Sequence, residues 1–190
     1  FDYDLKKLNW FNIGGKAKGY FKPDTLDDLV LFLKKFGEKE RLFVLGAGSN
    51  ILMTDKKFDG IVIKLGKNFS NLSLLPNKII VAGSAVTDKK LSEFAMNNNI
   101  GGFEFLSCIP GTVGGGLKIN SGCFGSEFKD ILVSVQVIDK KGNIKTIPSS
   151  SIKFGYRHSP LDKNFIFLSA SFKGKIKEKN EMARVLRLAP

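Results

Sequence analysis

Apolar positions fall into one clear helical repeat and several short runs. Leu26, Leu29, Val30 and Leu33 recur at i, i+3, i+4 and i+7, the spacing that gathers side chains on one helix face. Thr25 stands before them as a cap, Asp27 and Asp28 face the positive end of the helix dipole, and Gly37 closes the element. The run Leu42-Phe43-Val44-Leu45 stops at a glycine, which predicts a buried strand entering a tight turn. Residues 61–65 and 79–82 predict further strands. Thr87 opens a second helix, with Leu91, Phe94, Ala95 and Asn98 on one face and Asn97 to Asn99 with Gly101-Gly102 at its end. The first 85 or so residues read strand, helix, strand, strand, strand, an α+β unit.

The second part is patterned differently. A glycine-rich stretch runs over residues 109–125, and residues 131–138 then alternate as a strand. Asp139-Lys140-Lys141-Gly142-Asn143 is a turn, and residues 144–147 return as the other arm of a hairpin. Residues 165–172 form a last strand. Residues 178–188 predict a helix whose apolar face, Met182, Val185 and Leu186, has nothing after it to pack against.

Composition narrows the class. The 190 residues are 43% hydrophobic and 25% charged, a globular balance rather than a disordered one. No apolar run is long enough to span a bilayer. The start, Phe1-Asp2-Tyr3-Asp4, has neither the basic nor the apolar region of a signal peptide, and its lack of an initiator Met reads as trimming. The net charge of +12 suggests nucleic acid, but of the 30 basic residues only Arg41, Arg157, Arg184 and Arg187 are arginine. Bidentate base readout favours arginine, and the lysines are scattered, so the excess reads as a solvated surface. Cys108 and Cys123 form no CxxC pair and the chain has one histidine, which excludes a standard structural zinc site. Two cysteines without a secretion signal read as reduced thiols in a cytoplasmic protein.

The chemistry concentrates in three places. Gly46-Ala47-Gly48-Ser49-Asn50 follows a strand directly, and its glycines free backbone N–H groups to converge on an anion. It is neither a Walker A loop nor a Rossmann fingerprint, for want of Gly-Lys-Ser/Thr and of a third spaced glycine. Cys108-Ile109-Pro110-Gly111-Thr112-Val113-Gly114-Gly115-Gly116 is too apolar for a solvent linker and suits backbone approaching a flat or phosphorylated ligand; Asn120-Ser121-Gly122-Cys123-Phe124-Gly125 extends it. In Phe154-Gly155-Tyr156-Arg157-His158-Ser159, Arg157 sits among apolar residues, where it needs an ion-pair partner or an anionic ligand. His158 reads as a loop residue without a role, and Trp10 as core. Two glycine segments about 60 residues apart suggest a two-phosphate cofactor with a flat ring, such as FAD, held across a cleft.

These segments, with Asn9-Trp10-Phe11-Asn12-Ile13-Gly14-Gly15 and Leu45 to Leu52, resemble in order and spacing the UDP-N-acetylenolpyruvoylglucosamine reductase (MurB) family of bacterial cell-wall synthesis. The resemblance covers most of residues 8–175; Cys108 and Ser121 stand where the family more often has Gly and Ala. It implies an α+β, PCMH-type (vanillyl-alcohol-oxidase-like) FAD-binding domain of two α/β lobes, residues 1–85 and 86–174. Residues 175–190 would begin a connection to an absent C-terminal substrate domain. It implies FAD contacts at Gly46, Ala47, Gly48, Ser49, Asn50, Ile51, Cys108, Ile109, Pro110, Gly111, Thr112, Gly114, Gly115, Asn120, Gly122 and Tyr156, and a catalytic role for Arg157. FAD and NADPH would serve a UDP-sugar substrate in a cytoplasmic monomer with no nucleic-acid or membrane partner. The family's proton-donating serine segment, Gly-Ser-x-Phe-Lys-Asn-Pro, and its late glutamate have no counterpart in these residues, so the chain is expected to hold FAD without turning over alone. The rival readings are the flavin subunit of another PCMH-type oxidoreductase and a basic nucleic-acid-binding module.

Overall fold

The computed structural model describes residues 1–182. In chain order they form β1 (Tyr3–Asp4), β2 (Lys16–Phe21), α1 (Leu26–Phe36), β3 (Leu42–Val44), β4 (Phe58–Ile63), β5 (Leu72–Leu75), β6 (Ile79–Gly83), α2 (Asp88–Asn97), β7 (Ile100–Gly101), α3 (Val113–Ile119), β8 (Gly122–Cys123), β9 (Ser126–Glu127), α4 (Phe128–Ile131), β10 (Leu132–Ile138), β11 (Ile144–Pro148), β12 (Ile166–Lys173) and β13 (Lys175–Ile176). Two sheets dominate. One has the order β1-β2-β4-β3, with β2, β4 and β3 parallel; the other has the order β11-β10-β12-β6-β5 and is antiparallel throughout.

Helix α1 forms as its sequence dictates. Thr25 Oγ1 accepts from Asp28 N at 3.1 Å and Asp28 Oδ2 accepts from Thr25 N at 3.0 Å, a reciprocal capping box. Leu29 and Leu33 are fully buried, while Leu26, in the first turn, stays exposed. Gly37 ends the helix with φ −56°, a right-handed conformation. Its lack of a side chain serves contact instead, because the Lys140 carbonyl occupies the place of a Cβ. Lys140 belongs to the turn between β10 and β11, so this glycine lets the hairpin of one sheet close on the helix of the other. The core beneath is shared: Leu29 and Leu33 pack with Ile63 of β4 and with Ile138, Ile166 and Leu168 of the second sheet.

Several expectations change. The run at residues 42–45 is not a buried strand: β3 is an edge strand that leaves Phe43 and Val44 exposed, and only Leu45 is buried. Strands β5 and β6 do not join the first unit. They pair into the second sheet, Gly83 opposite Ser169 and Leu75 opposite Ile79, so the change of sheet falls between β4 and β5 rather than near residue 85. Asn98 caps the end of α2 through its side-chain amide, which donates to Phe94 O at 2.8 Å, instead of lying on the apolar face. Much of the glycine stretch is helical, α3, and its Gly116 lies where the Phe128 ring leaves no room for a side chain. At the far end, helix begins at Lys179 and Met182 is buried; Val185 and Leu186 lie outside the described residues.

Candidate functional site

The first glycine segment leaves the sheet at the carboxyl end of β3, where Leu45 N donates to Ile63 O at 2.9 Å. None of the backbone N–H groups from Gly46 to Ile51 finds an acceptor among the described residues. Gly48 has φ +72°, and the Leu8 carbonyl fills the position of its Cβ. Trp10 N donates to Gly48 O at 3.0 Å, and Asn9 Nδ2 donates to Leu5 O at 3.0 Å and Ile13 O at 2.7 Å, so residues 9–13 brace the loop from outside. Trp10 is not core: its backbone docks on Gly48, and the residue is 61% exposed. From inside, Lys64 Nζ donates to Gly46 O at 3.1 Å. Partial burial and then the like charge of Lys22 hold this ammonium below its usual range.

The second segment is sewn to the turn between β6 and α2. Val113 N and Gly114 N donate to Val86 O and Ser84 O, both at 2.9 Å, and Asp88 N donates to Gly111 O at 3.2 Å. A Cβ on Gly111 would lie 2.5 Å from Asp88 Oδ2, and one on Gly114 would lie 3.0 Å from Ser84 Cβ. Gly115 differs. Its nearest neighbour would be Thr112 Oγ1 at 3.5 Å, so nothing among the described residues requires a glycine there. The two segments meet directly: a Cβ on Gly46 would stand 2.6 Å from Thr112 Oγ1. Behind them lies Asp88, fully buried, with neither carboxylate oxygen hydrogen-bonded among the described residues. Burial pushes its carboxyl up to about 8.

The third wall is built on Asn120. It caps α3 in the left-handed conformation, φ +46°, and is fully buried. Its Nδ2 donates to Glu127 Oε2 and Gly155 O, both at 3.0 Å, and its Oδ1 accepts from Lys129 N at 3.1 Å. Its side-chain polar atoms are thus engaged by protein, which holds the wall in place. Gly155 and His158 exchange backbone hydrogen bonds, which places Tyr156 and Arg157 at a turn tip. Arg157 is therefore exposed, not set among apolar side chains, and has φ +52°. Its Nη2 donates to Gly122 O at 2.7 Å, its guanidinium lies 5.3 Å from the Tyr156 ring centre, and no ion pair engages it among the described residues. Cys108 and Cys123 are free thiols; burial, then the neighbouring Cys108, raises the Cys123 thiol. The sequence had singled out neither Lys64 nor Asp88. The first is hidden in strand alternation and the second reads as an ordinary first-turn helix acid.

A family model described as an FAD-binding domain matches residues 17–148. The chain belongs to the FAD-binding domain family. Within it, the sequence is 69% identical over 182 residues to a UDP-N-acetylenolpyruvoylglucosamine reductase of Pelagibacter ubique, covering 96% of this chain and 60% of that protein. It is 48% identical over 172 residues to the reductase of the same name from Rickettsia massiliae, covering 90% of this chain and 58% of that protein. The crystal structure of the Thermus caldophilus UDP-N-acetylenolpyruvylglucosamine reductase superposes with a TM-score of 0.86 at 28% identity, over 98% of this chain and 66% of that one. The chain thus spans about 60% of the length of the curated relatives it matches. This FAD-binding domain has the α+β, PCMH-type fold that the resemblance implied. The matched span takes in both glycine segments and stops short of Tyr156 and Arg157. No helix among the described residues is long and apolar enough to cross a membrane.

Proposed function

We propose that the chain holds FAD between its two glycine segments and serves the NADPH-driven reduction of UDP-N-acetylglucosamine enolpyruvate to UDP-N-acetylmuramate, a step in making peptidoglycan precursors. The observation that carries the cofactor site is the contact of Gly46 with Thr112, beside a run of backbone N–H groups with no acceptor among the described residues. Such an array suits the oxygens of a pyrophosphate. In this reading Gly46, Ala47, Gly48, Ser49, Asn50 and Ile51 receive the phosphates. Cys108, Ile109, Pro110, Gly111, Thr112 and Gly114 form the opposite wall. Gly115, where a Cβ would make only an ordinary contact with Thr112 Oγ1, lets a flat ring lie close to backbone. Gly122 and Tyr156 border the site, and Asn120 holds its third wall.

FAD held there would supply two-electron, hydride-transfer chemistry between NADPH and the enolpyruvyl double bond. The chain's own contribution to that step is Arg157. Its exposed guanidinium, in no ion pair among the described residues, matches the enolpyruvyl carboxylate with a planar fork. The same permanent charge opposes the negative charge that develops as hydride arrives. The shared name of the relatives supports the reaction. Apo chain mixed with FAD and desalted is expected to retain flavin absorbance between roughly 350 and 500 nm. Chain that stays colourless after reconstitution sinks the cofactor reading.

A further inference from the structure

Three parallel strands end in one row. Phe21 of β2 and Val44 of β3 both lie opposite Ile63 of β4, so Lys22, Lys64 and Leu45 leave the sheet side by side. Lys64 N donates to Phe21 O at 3.0 Å and Leu45 N to Ile63 O at 2.9 Å, which continues the ladder by one step on each side. The carboxyl ends of parallel strands are where open α/β sheets receive ligands. Here that edge carries the glycine segment, with Lys64 inside it at 3.1 Å from Gly46 O.

The charges at this edge do not balance. No ion pair of the described residues involves Lys22 or Lys64. A half-buried ammonium beside a second lysine, held among the described residues by a carbonyl alone, is electrostatically unfavourable until an anion joins it. The unpaired N–H groups of residues 46–51 open at the same place. A Gly46 carbonyl already satisfied by an ammonium also keeps the loop's acceptor turned away from that anion.

We infer that Lys64, supported by Lys22, is the counter-charge for the ligand's phosphates and fixes the Gly46 carbonyl so that the loop's N–H groups face them. The inference rests on the FAD reading above for the identity of the anion. Lys64 is a positioning and binding residue here, and no bond is made or broken through it.

The test compares the full chain with Lys64→Gln and Lys64→Arg. Flavin fluorescence titration gives the FAD dissociation constant, and the melting temperature of apo chain with and without inorganic pyrophosphate reports the phosphate subsite alone. Lys64→Gln is expected to weaken FAD about 10- to 100-fold, the usual range for a lost charge-assisted hydrogen bond. It is also expected to abolish the pyrophosphate-induced rise in melting temperature. Lys64→Arg, which keeps the charge, should stay within about threefold of the parent. Unchanged FAD affinity in Lys64→Gln overturns the inference. So does lost FAD affinity with an intact pyrophosphate response, or an Arg variant as weak as the Gln variant. A parent chain that responds to pyrophosphate but binds no FAD overturns only the FAD reading. Native-like melting of both apo variants shows that folding is not what has changed.

Discussion

Asp88 departs furthest from ordinary side-chain behaviour. A fully buried carboxyl with no hydrogen-bond partner among the described residues costs less neutral than charged, which is why its pKa rises to about 8. The unfolded chain releases that proton near the ordinary carboxylate value of about 4. Between about pH 4 and 8 the folded state therefore holds a proton that the unfolded state has lost. This contribution is fully present below about pH 4, falls by ~1.4 kcal/mol per pH unit across the window, and levels off above it. Asp88→Asn keeps the shape and stays neutral, so it should remove this slope. Urea denaturation at about pH 5.5 and about pH 7.5 should show the variant gaining on the parent as pH rises; parallel pH profiles would refute the assignment. Arg157 shows a second cost at this scale. A left-handed backbone costs a non-glycine residue roughly 1–2 kcal/mol, and it presents this guanidinium at a turn tip.

The elements explain why α3 contains three consecutive glycines, although glycine weakens a helix interior by roughly 0.5–1 kcal/mol each. Gly116 faces the Phe128 ring, which leaves no room for a side chain, and Gly114 packs tightly on Ser84. Gly116→Ala is expected to destabilise the apo chain by about 1–3 kcal/mol, because a buried aromatic ring must move. Gly115 has no such neighbour. Gly115→Ala should leave the apo chain as stable as the parent or more stable by up to about 1 kcal/mol, yet weaken FAD about tenfold or more. Chemical denaturation and FAD titration of the two variants separate packing from ligand space. A Gly115→Ala variant with parental FAD affinity would remove that residue from the site. The glycines were legible in the sequence as a place of close approach. Their helical state was not, because it depends on Phe128 and Ser84, which lie outside the segment.

At the scale of the whole molecule, the net charge of +12 and the site act at different ranges. Screening confines the field of scattered lysines to about 8 Å at physiological salt, so the general excess affects encounter with anions more than residence. In the proposed site affinity is local, at residues 46–51 and Lys64. Because the proposed site joins segments from both sheets, ligand binding should stabilise the whole fold. FAD at about one hundred times its dissociation constant adds ~2.7 kcal/mol. For a chain of this size that is a rise of about 5–10 °C in melting temperature. A scan with and without FAD checks it, and an unchanged midpoint would contradict a site shared between the sheets.

The sequence by itself determined what is local: the Thr25–Asp28 capping box, the Asp139–Asn143 hairpin turn, and the glycine segments and arginine of the proposed site. Each depends on residues a few positions apart, whose backbone preferences and side-chain reach suffice. Tertiary structure alone decided that Gly83 pairs with Ser169, that Gly46 meets Thr112, that Asp88 is sealed behind Gly111, and that Arg157 stands in solvent. Those outcomes depend on surfaces brought together across tens of residues. Neither hydrophobic period nor residue type encodes which surface will arrive.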